Sequence, residues 1–268
     1  MFIQNGSQFT LISVVPCSGR RLIINRQRKG GIGLGVAAKS EKLQSPEEAV
    51  GLLREGNSIM VGGFGLCGTP FTLIDAIQNE PSIRNLTIIS NNLGEAGKGL
   101  GILLQSGQIK KAVGSYFTSN RDAVKAWKDG LLEIELYPQG SFVEAIRAGG
   151  AGIAAFYVKT GVGTELANGK EERMFGAERN ILIEAIRANA SLIKAWKADT
   201  LGNLIYSKSA RNFNPAMATA ADLVIAEVDE IVPAGCLDPE QIVTPHHFVD
   251  VLVLSSYEKV GGVYVKNS

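Results

Sequence analysis

Short runs of aliphatic and β-branched residues alternate with amphipathic stretches through most of the chain. Ser58–Val61 and residues 86–90, 112–116 and 132–136 have the length and composition of buried strands. Helix signals fill the gaps between them. Ser45-Pro46-Glu47-Glu48 joins a capping box to a proline at the first helical position, which predicts a helix from 46 to near Gly56. Thr69 and Pro70 predict a second helix, with Thr69 as its N-cap. A glycine-rich turn leads into a third, running through Leu104, and Asn120 caps a fourth that ends at Asp129. Ser141-Phe142-Val143-Glu144 forms a second capping box, opening a helix that stops at Gly149-Gly150. Strand and helix alternating on this scale predict βαβ units. The fold class is therefore α/β, an open, mostly parallel sheet flanked by helices.

The second half carries shorter apolar runs at 181–184, 191–195, 223–228 and 249–254, separated by loops rich in Gly, Asn and Pro. They continue the same open α/β domain, with an irregular flank. The pattern contains no internal repeats and no low-complexity tracts.

Composition adds a boundary. The chain has 268 residues, 45% of them hydrophobic, which is ample for a sizeable core. No apolar run approaches membrane-spanning length. Residues 1–40 carry six basic residues (Arg20, Arg21, Arg26, Arg28, Lys29, Lys39) and no acidic one. Removing those six from the total of 27 leaves 21 basic against 26 acidic residues in 41–268, a net charge of −5. A mildly acidic body argues against nucleic acid as a partner.

Residues 1–42 are thus expected to be a poorly ordered basic extension, and 43–268 a single domain. The apolar stretch 9–15 precedes the arginines, the reverse of a secretory signal. An acid-free, Arg-containing leader is similar to a mitochondrial transit peptide. A third reading is a mis-assigned start: Arg28-Lys29-Gly30-Gly31 is what a purine-rich ribosome-binding site encodes in frame, with Leu34 or Val36 near a non-AUG start. A start near Leu34 or Val36 implies a bacterial cytoplasm, and a transit peptide over 1–40 implies the mitochondrial matrix. Cys17, Cys67 and Cys236 show no metal-site or C-x-x-C spacing, which fits a reducing compartment and argues against a disulfide scaffold. The adjacent His246 and His247 are expected in a surface loop and not on a metal.

The chemistry concentrates after the first strand, in Val61-Gly62-Gly63-Phe64-Gly65-Leu66-Cys67-Gly68-Thr69-Pro70. Four glycines in seven residues let another molecule approach the backbone amides, and the helix expected at Pro70 points its free N–H groups into the same space. Gly63-x-Gly65-x-x-Gly68 matches a dinucleotide fingerprint, which also needs an acidic residue about 20 positions on to hold the ribose hydroxyls. The next strand ends in Asn91-Asn92, so the dinucleotide reading fails.

Ligands on open α/β sheets bind beyond the carboxyl ends of the strands. Three polar constellations fall there: the 62–68 loop, Asn91-Asn92, and Tyr137-Pro138-Gln139-Gly140. Each is also ordinary turn chemistry, and their coincidence is what suggests a site. They supply amide donors but no nucleophile and no proton shuttle. Cys67 has no histidine to accept its proton, Glu95 is a candidate carboxylate without a partner, and Glu144 belongs to the capping box. Such a surface is half of an active site.

Val61 to Pro70, Ser90-Asn91-Asn92, Pro138-Gln139-Gly140, Ile146-Arg147-Ala148-Gly149-Gly150-Ala151-Gly152, residues 194–202 and Ser209-Ala210-Arg211-Asn212-Phe213-Asn214 together resemble the A subunits of family I CoA-transferases of the succinyl-CoA:3-ketoacid (acetate–acetoacetate) type. The likeness runs from about residue 45 to 254, and its one small departure is Glu55-Gly56 where the family usually has Asp-Gly. It implies the fold of that family and a two-chain enzyme, an A2B2 heterotetramer, moving CoA from succinyl-CoA to a short 3-oxo acid such as acetoacetate. A glutamate in a Ser-Glu-Asn-Gly motif on the B subunit becomes first an acyl anhydride and then a glutamyl-CoA thioester. That motif is absent here. Coenzyme A is then a substrate, with no other cofactor and no metal. By the same resemblance Gln139 donates its amide to the oxyanion, Asn91 and Asn92 orient the partner's glutamate or the substrate carboxylate, and Gly62, Gly63, Phe64, Gly65, Leu66, Cys67 and Gly68 bind the thioester end of CoA. Residues 209–214 are expected to serve loop architecture or a subunit interface. The rival reading is a stand-alone sugar-phosphate isomerase or ligand-sensing domain on a related fold.

Overall fold

In the computed structural model, residues 40–260 and 263–267 are described, and they fall in one compact unit, Lys39–Ser268. The expectations for residues 1–39 lie outside the described residues.

The first half reads α1 (Pro46–Val50), β1 (Ser58–Val61), α2 (Phe71–Gln78), β2 (Leu86–Ile89), α3 (Leu100–Gln105), β3 (Ile109–Gly114), α4 (Arg121–Lys128), β4 (Glu133–Leu136) and α5 (Gln139–Gly150). The second half reads β5 (Ala155–Val158), β6 (Glu172–Phe175), β7 (Glu178–Glu184), β8 (Ala188–Asp199), β9 (Leu204–Ile205), α6 (Asn214–Met217), β10 (Ala221–Val232), β11 (Val251–Leu254), β12 (Tyr257–Val260) and β13 (Val263–Lys266). Seven strands pair in parallel in the order β11-β10-β8-β1-β2-β3-β4, and β9 adds antiparallel to β8.

Both faces of this sheet are buried, which is why its strands read as unbroken apolar runs. Along β1, Ile59 and Val61 pack with Leu73, Ile77, Leu103 and Ala123 from α2, α3 and α4. Met60 points the other way, toward Phe142 and Ile146 of α5 and Met217 of α6. Each fully buried aliphatic side chain of this kind contributes about 1.5–3 kcal/mol. No helix among the described residues is long and apolar enough to cross a membrane.

Several expectations change. The capping box at Ser45 and Glu48 forms, yet α1 stops at Val50, where Gly51 breaks the ladder and the next amides bond three residues back. Helix α5 starts at Gln139 with Pro138 as its N-cap, so Ser141 lies inside the first turn and Glu144 pairs with Arg147 at 2.6 Å. The predicted strand 181–184 exists but lies outside the main sheet. It is part of β7, the centre of a separate antiparallel sheet β5-β7-β6. Strands β8 and β10 reach twelve residues because their charges are paired in register: Lys194 opposite Glu227, Lys197 opposite Glu230. Ser40 and Lys42, assigned to the extension, bond to Thr200, His246 and Val249, and the Lys42 carbonyl accepts the amide of Leu252. Cys67 is a free thiol, and the expectation for Cys17 lies outside the described residues.

Candidate active site

Parallel pairing of β1, β2, β3 and β4 brings their carboxyl ends to one edge, where the three predicted constellations meet. The loop after β1 is a tight hairpin in which Phe64 and Cys67 exchange both backbone hydrogen bonds, at 3.0 and 3.1 Å. The loop after β2 repeats it: Glu95 and Lys98 exchange bonds at 3.2 and 3.0 Å. Gly63 and Gly68 flank the first turn and Gly94 and Gly99 the second, a local repeat that the sequence pattern hides. The two hairpins lie side by side, with Leu66 against Gly99.

Residues 209–214 build the first of these loops. Asn212 Oδ1 accepts the amide of Gly63 at 3.2 Å, and its Nδ2 donates to Cys67 O at 3.0 Å. Asn214 Nδ2 donates to Gly68 O at 3.1 Å, and its Oδ1 accepts the amide of Lys194 at 2.8 Å. A Cβ on Gly62 would sit 1.8 Å from that Oδ1, so only glycine fits there. The loop's amides are mostly committed, with Gly62, Gly63, Phe64 and Cys67 all donating internally. Those of Gly65, Leu66 and Gly68 carry no hydrogen bond among the described residues. Phe64, at the tip, is 51% exposed. The Sγ of Cys67 faces Ser209 Oγ at 3.7 Å, on an open cleft that Lys194, Trp196 and Asp229 also line.

The helix start expected to present free amides here does not. Thr69 makes no cap, and the N–H groups of Thr72 and Leu73 donate to the buried carboxylate of Glu227 at 2.9 and 3.3 Å. Helix α5 has no side-chain cap at its start. Phe142 donates back to Pro138 O, and the amides of Gln139, Gly140 and Ser141 have no partner among the described residues. Gln139 and Gly140 are exposed there, at the positive end of a twelve-residue helix.

Asn92 borders the first glycine loop, lining a small cleft with Gly62, Gly63 and Gly65. It is buried and donates from Nδ2 to Asn91 Oδ1 at 3.2 Å. Asn91, also buried, donates from Nδ2 to Gln139 Oε1 at 3.3 Å and to Ser115 Oγ at 3.3 Å. Thus the asparagine pair and the glutamine, from two different strand ends, form one amide cluster. Just before Gln139, Tyr137 donates to Glu135 at 2.7 Å. Burial and that bond push the Tyr137 hydroxyl well above its ordinary pKa. Burial lifts the Glu135 carboxyl, but the bonds from Lys111 and Tyr137 outweigh it and hold the group below its ordinary value.

Glu95 is exposed at its hairpin tip, and no group of three or more potential metal ligands occurs among the described residues. His246 and His247 are exposed in a short helical turn. The site therefore holds amide donors at a helix N-terminus beside two glycine hairpins, an arrangement suited to a developing oxyanion.

The family model described as coenzyme A transferase matches residues 43–255. The chain belongs to that family. It is 48% identical over 217 residues to the A subunit of a probable succinyl-CoA:3-ketoacid coenzyme A transferase from Bacillus subtilis (strain 168), covering 81% of this chain and 91% of that one. It is 50% identical over 206 residues to the A subunit of the succinyl-CoA:3-ketoacid coenzyme A transferase from Xanthomonas campestris pv. campestris (strain B100), covering 77% and 85%. Among solved structures, the acyl-CoA transferase of E. coli O157:H7 in a thioester complex with CoA superposes with a TM-score of 0.74 at 21% identity. That match spans 84% of this chain and 52% of the other, about half its length, and carries the fold alone. The individual roles of Asn212, Asn214 and Glu227, which order the first hairpin and its helix, were not visible in the sequence. Their only signal was an Asn-x-Asn in a polar loop and an acidic residue inside an apolar strand.

Proposed function

We propose that this chain is the A half of a two-chain CoA-transferase that moves CoA from succinyl-CoA to acetoacetate or a similar short acid. The observation that carries the reading is the amide cluster at Gln139: a donor site for an oxyanion with no nucleophile of its own. The names of the two bacterial relatives, both A subunits of succinyl-CoA:3-ketoacid transferases, support the same assignment.

In this reading the partner chain supplies a glutamate. Its carboxylate attacks the thioester carbonyl, the C–S bond breaks, and an acyl-glutamyl anhydride forms with release of CoA thiolate. The thiolate then attacks the glutamyl carbonyl and expels succinate, leaving glutamyl-CoA. The acceptor carboxylate repeats the sequence in reverse and departs as the new acyl-CoA. Gln139 Nε2 donates to the oxyanion of each addition, helped by the positive end of α5. The amides of Gly65, Leu66 and Gly68 hold the thioester end of CoA, with Phe64 against its apolar arm. Asn91 and Asn92 act on Gln139. The chain's single domain starts at about residue 40, where Ser40 and Lys42 bond to the body, and the assembly is A2B2 in a bacterial cytoplasm.

The test assays this chain by itself, its B partner by itself, and the two purified together, following CoA transfer from succinyl-CoA to acetoacetate. Activity confined to the mixture is the expected result. Turnover by this chain alone, or absence of any complex, overturns the reading.

A further inference from the structure

The amide cluster has a direction, and a backbone group sets it. The N–H of Gly94 can only donate, and it lies 2.8 Å from Asn92 Oδ1. Asn92 must therefore present its NH₂ to Asn91, which it does at 3.2 Å to Oδ1. Asn91 in turn must present its NH₂ to Gln139, and it meets Oε1 at 3.3 Å. Gln139 is left with its Nε2 facing outward and unpaired among the described residues. The side contact from Asn91 to Ser115 Oγ does not fix the order, because a hydroxyl serves as donor or acceptor. Asn91 and Asn92 are 3% and 7% exposed, so water cannot readily replace a reversed link.

We infer that Asn92 and Asn91 are positioning residues that transmit the polarity of the Gly94 N–H to the Gln139 carboxamide, so that it faces substrate as a donor and not as an acceptor. Reversal of any link would set two acceptor oxygens against each other, or turn Oε1 of Gln139 toward an oxyanion. This rests on Gln139 being the oxyanion donor. It also differs from the resemblance-based expectation that the two asparagines touch substrate or the partner's glutamate.

Asn92 is the decisive position because it does not touch Gln139. In N92D the carboxylate accepts from both Gly94 and Asn91, which turns the Asn91 amide around and with it Gln139. In N92L the anchor is simply lost, without added charge. Each is combined with wild-type Gln139 and with Q139A in the two-subunit enzyme, and kcat and KM are measured. The expected result is a fall in kcat of tenfold or more in both Asn92 variants, up to the roughly hundredfold worth of one oxyanion donor, with KM little changed. In the Q139A background neither variant lowers kcat further. Equal losses in both backgrounds, or wild-type kcat in N92L, overturn the relay. Wild-type kcat in Q139A itself overturns the oxyanion reading of Gln139, a separate outcome.

Discussion

The carboxylate of Glu227, on a strand, lies 2.9 Å from the backbone N–H of Thr72, in the first turn of α2. The same carboxylate accepts Lys194 Nζ at 3.1 Å and Ser255 Oγ at 2.6 Å, and its side chain is fully buried. One acidic residue thus ties three elements together beneath the first glycine hairpin.

Removing that carboxylate leaves the Lys194 ammonium, 4% exposed, with only the half-exposed Asp229, and orphans two helix amides. E227A should lose about 3–5 kcal/mol of stability by urea unfolding. The double variant K194M/E227L should lose clearly less than E227L alone, because no unpaired charge remains buried.

Asn214 braces the hairpin from below. G62A drives a methyl into its Oδ1 and should cost about 1–3 kcal/mol. N214A removes the brace itself. In both, hydrogen exchange should quicken across residues 62–68 before it changes in β2 or β3.

The hydroxyl of Tyr257 donates to Asp75 at 2.8 Å, and burial together with that carboxylate pushes its pKa up to about 12. Because the folded state holds this proton more tightly than the unfolded chain, the stabilisation is complete below pH 10. It disappears as pH rises from about 10 through 12. Unfolding midpoints of the native protein and of Y257F should therefore converge over that window. Ultraviolet titration should show one late-ionising tyrosine missing from Y257F.

Much of the architecture was legible because the main strands are buried on both faces. Ile59-Met60-Val61 and Leu86-Thr87-Ile88-Ile89 therefore stand out as apolar runs between helices. The small sheet β5-β7-β6 was not legible. Its inward face is carried largely by Ile181 and Ile183 of β7, and β6 is exposed along its length. The cap on α2 was hidden for another reason, since Glu227 lies 155 residues from Thr72 in sequence. Positions 91, 92 and 139 were singled out from strand-end placement and family likeness. Their shared polarity depends on one backbone N–H and becomes visible only in three dimensions. The twin hairpins share only their spaced glycines, too little for a sequence repeat to register.

Gln139 offers a sharp chemical contrast. In the two-subunit enzyme Q139A should lower kcat by roughly a hundredfold, about 3 kcal/mol, with a small change in KM. Q139E should be slower still. One carboxylate oxygen can accept from Asn91 as the amide does, and the other then faces the oxyanion with like charge.

The most direct test is intact-mass analysis of the two-chain enzyme after mixing with succinyl-CoA and no acceptor. The account predicts that the B subunit gains the mass of CoA less one water, while this chain's mass is unchanged. A CoA adduct on this chain would contradict it, because the nucleophile would then lie among the residues described above.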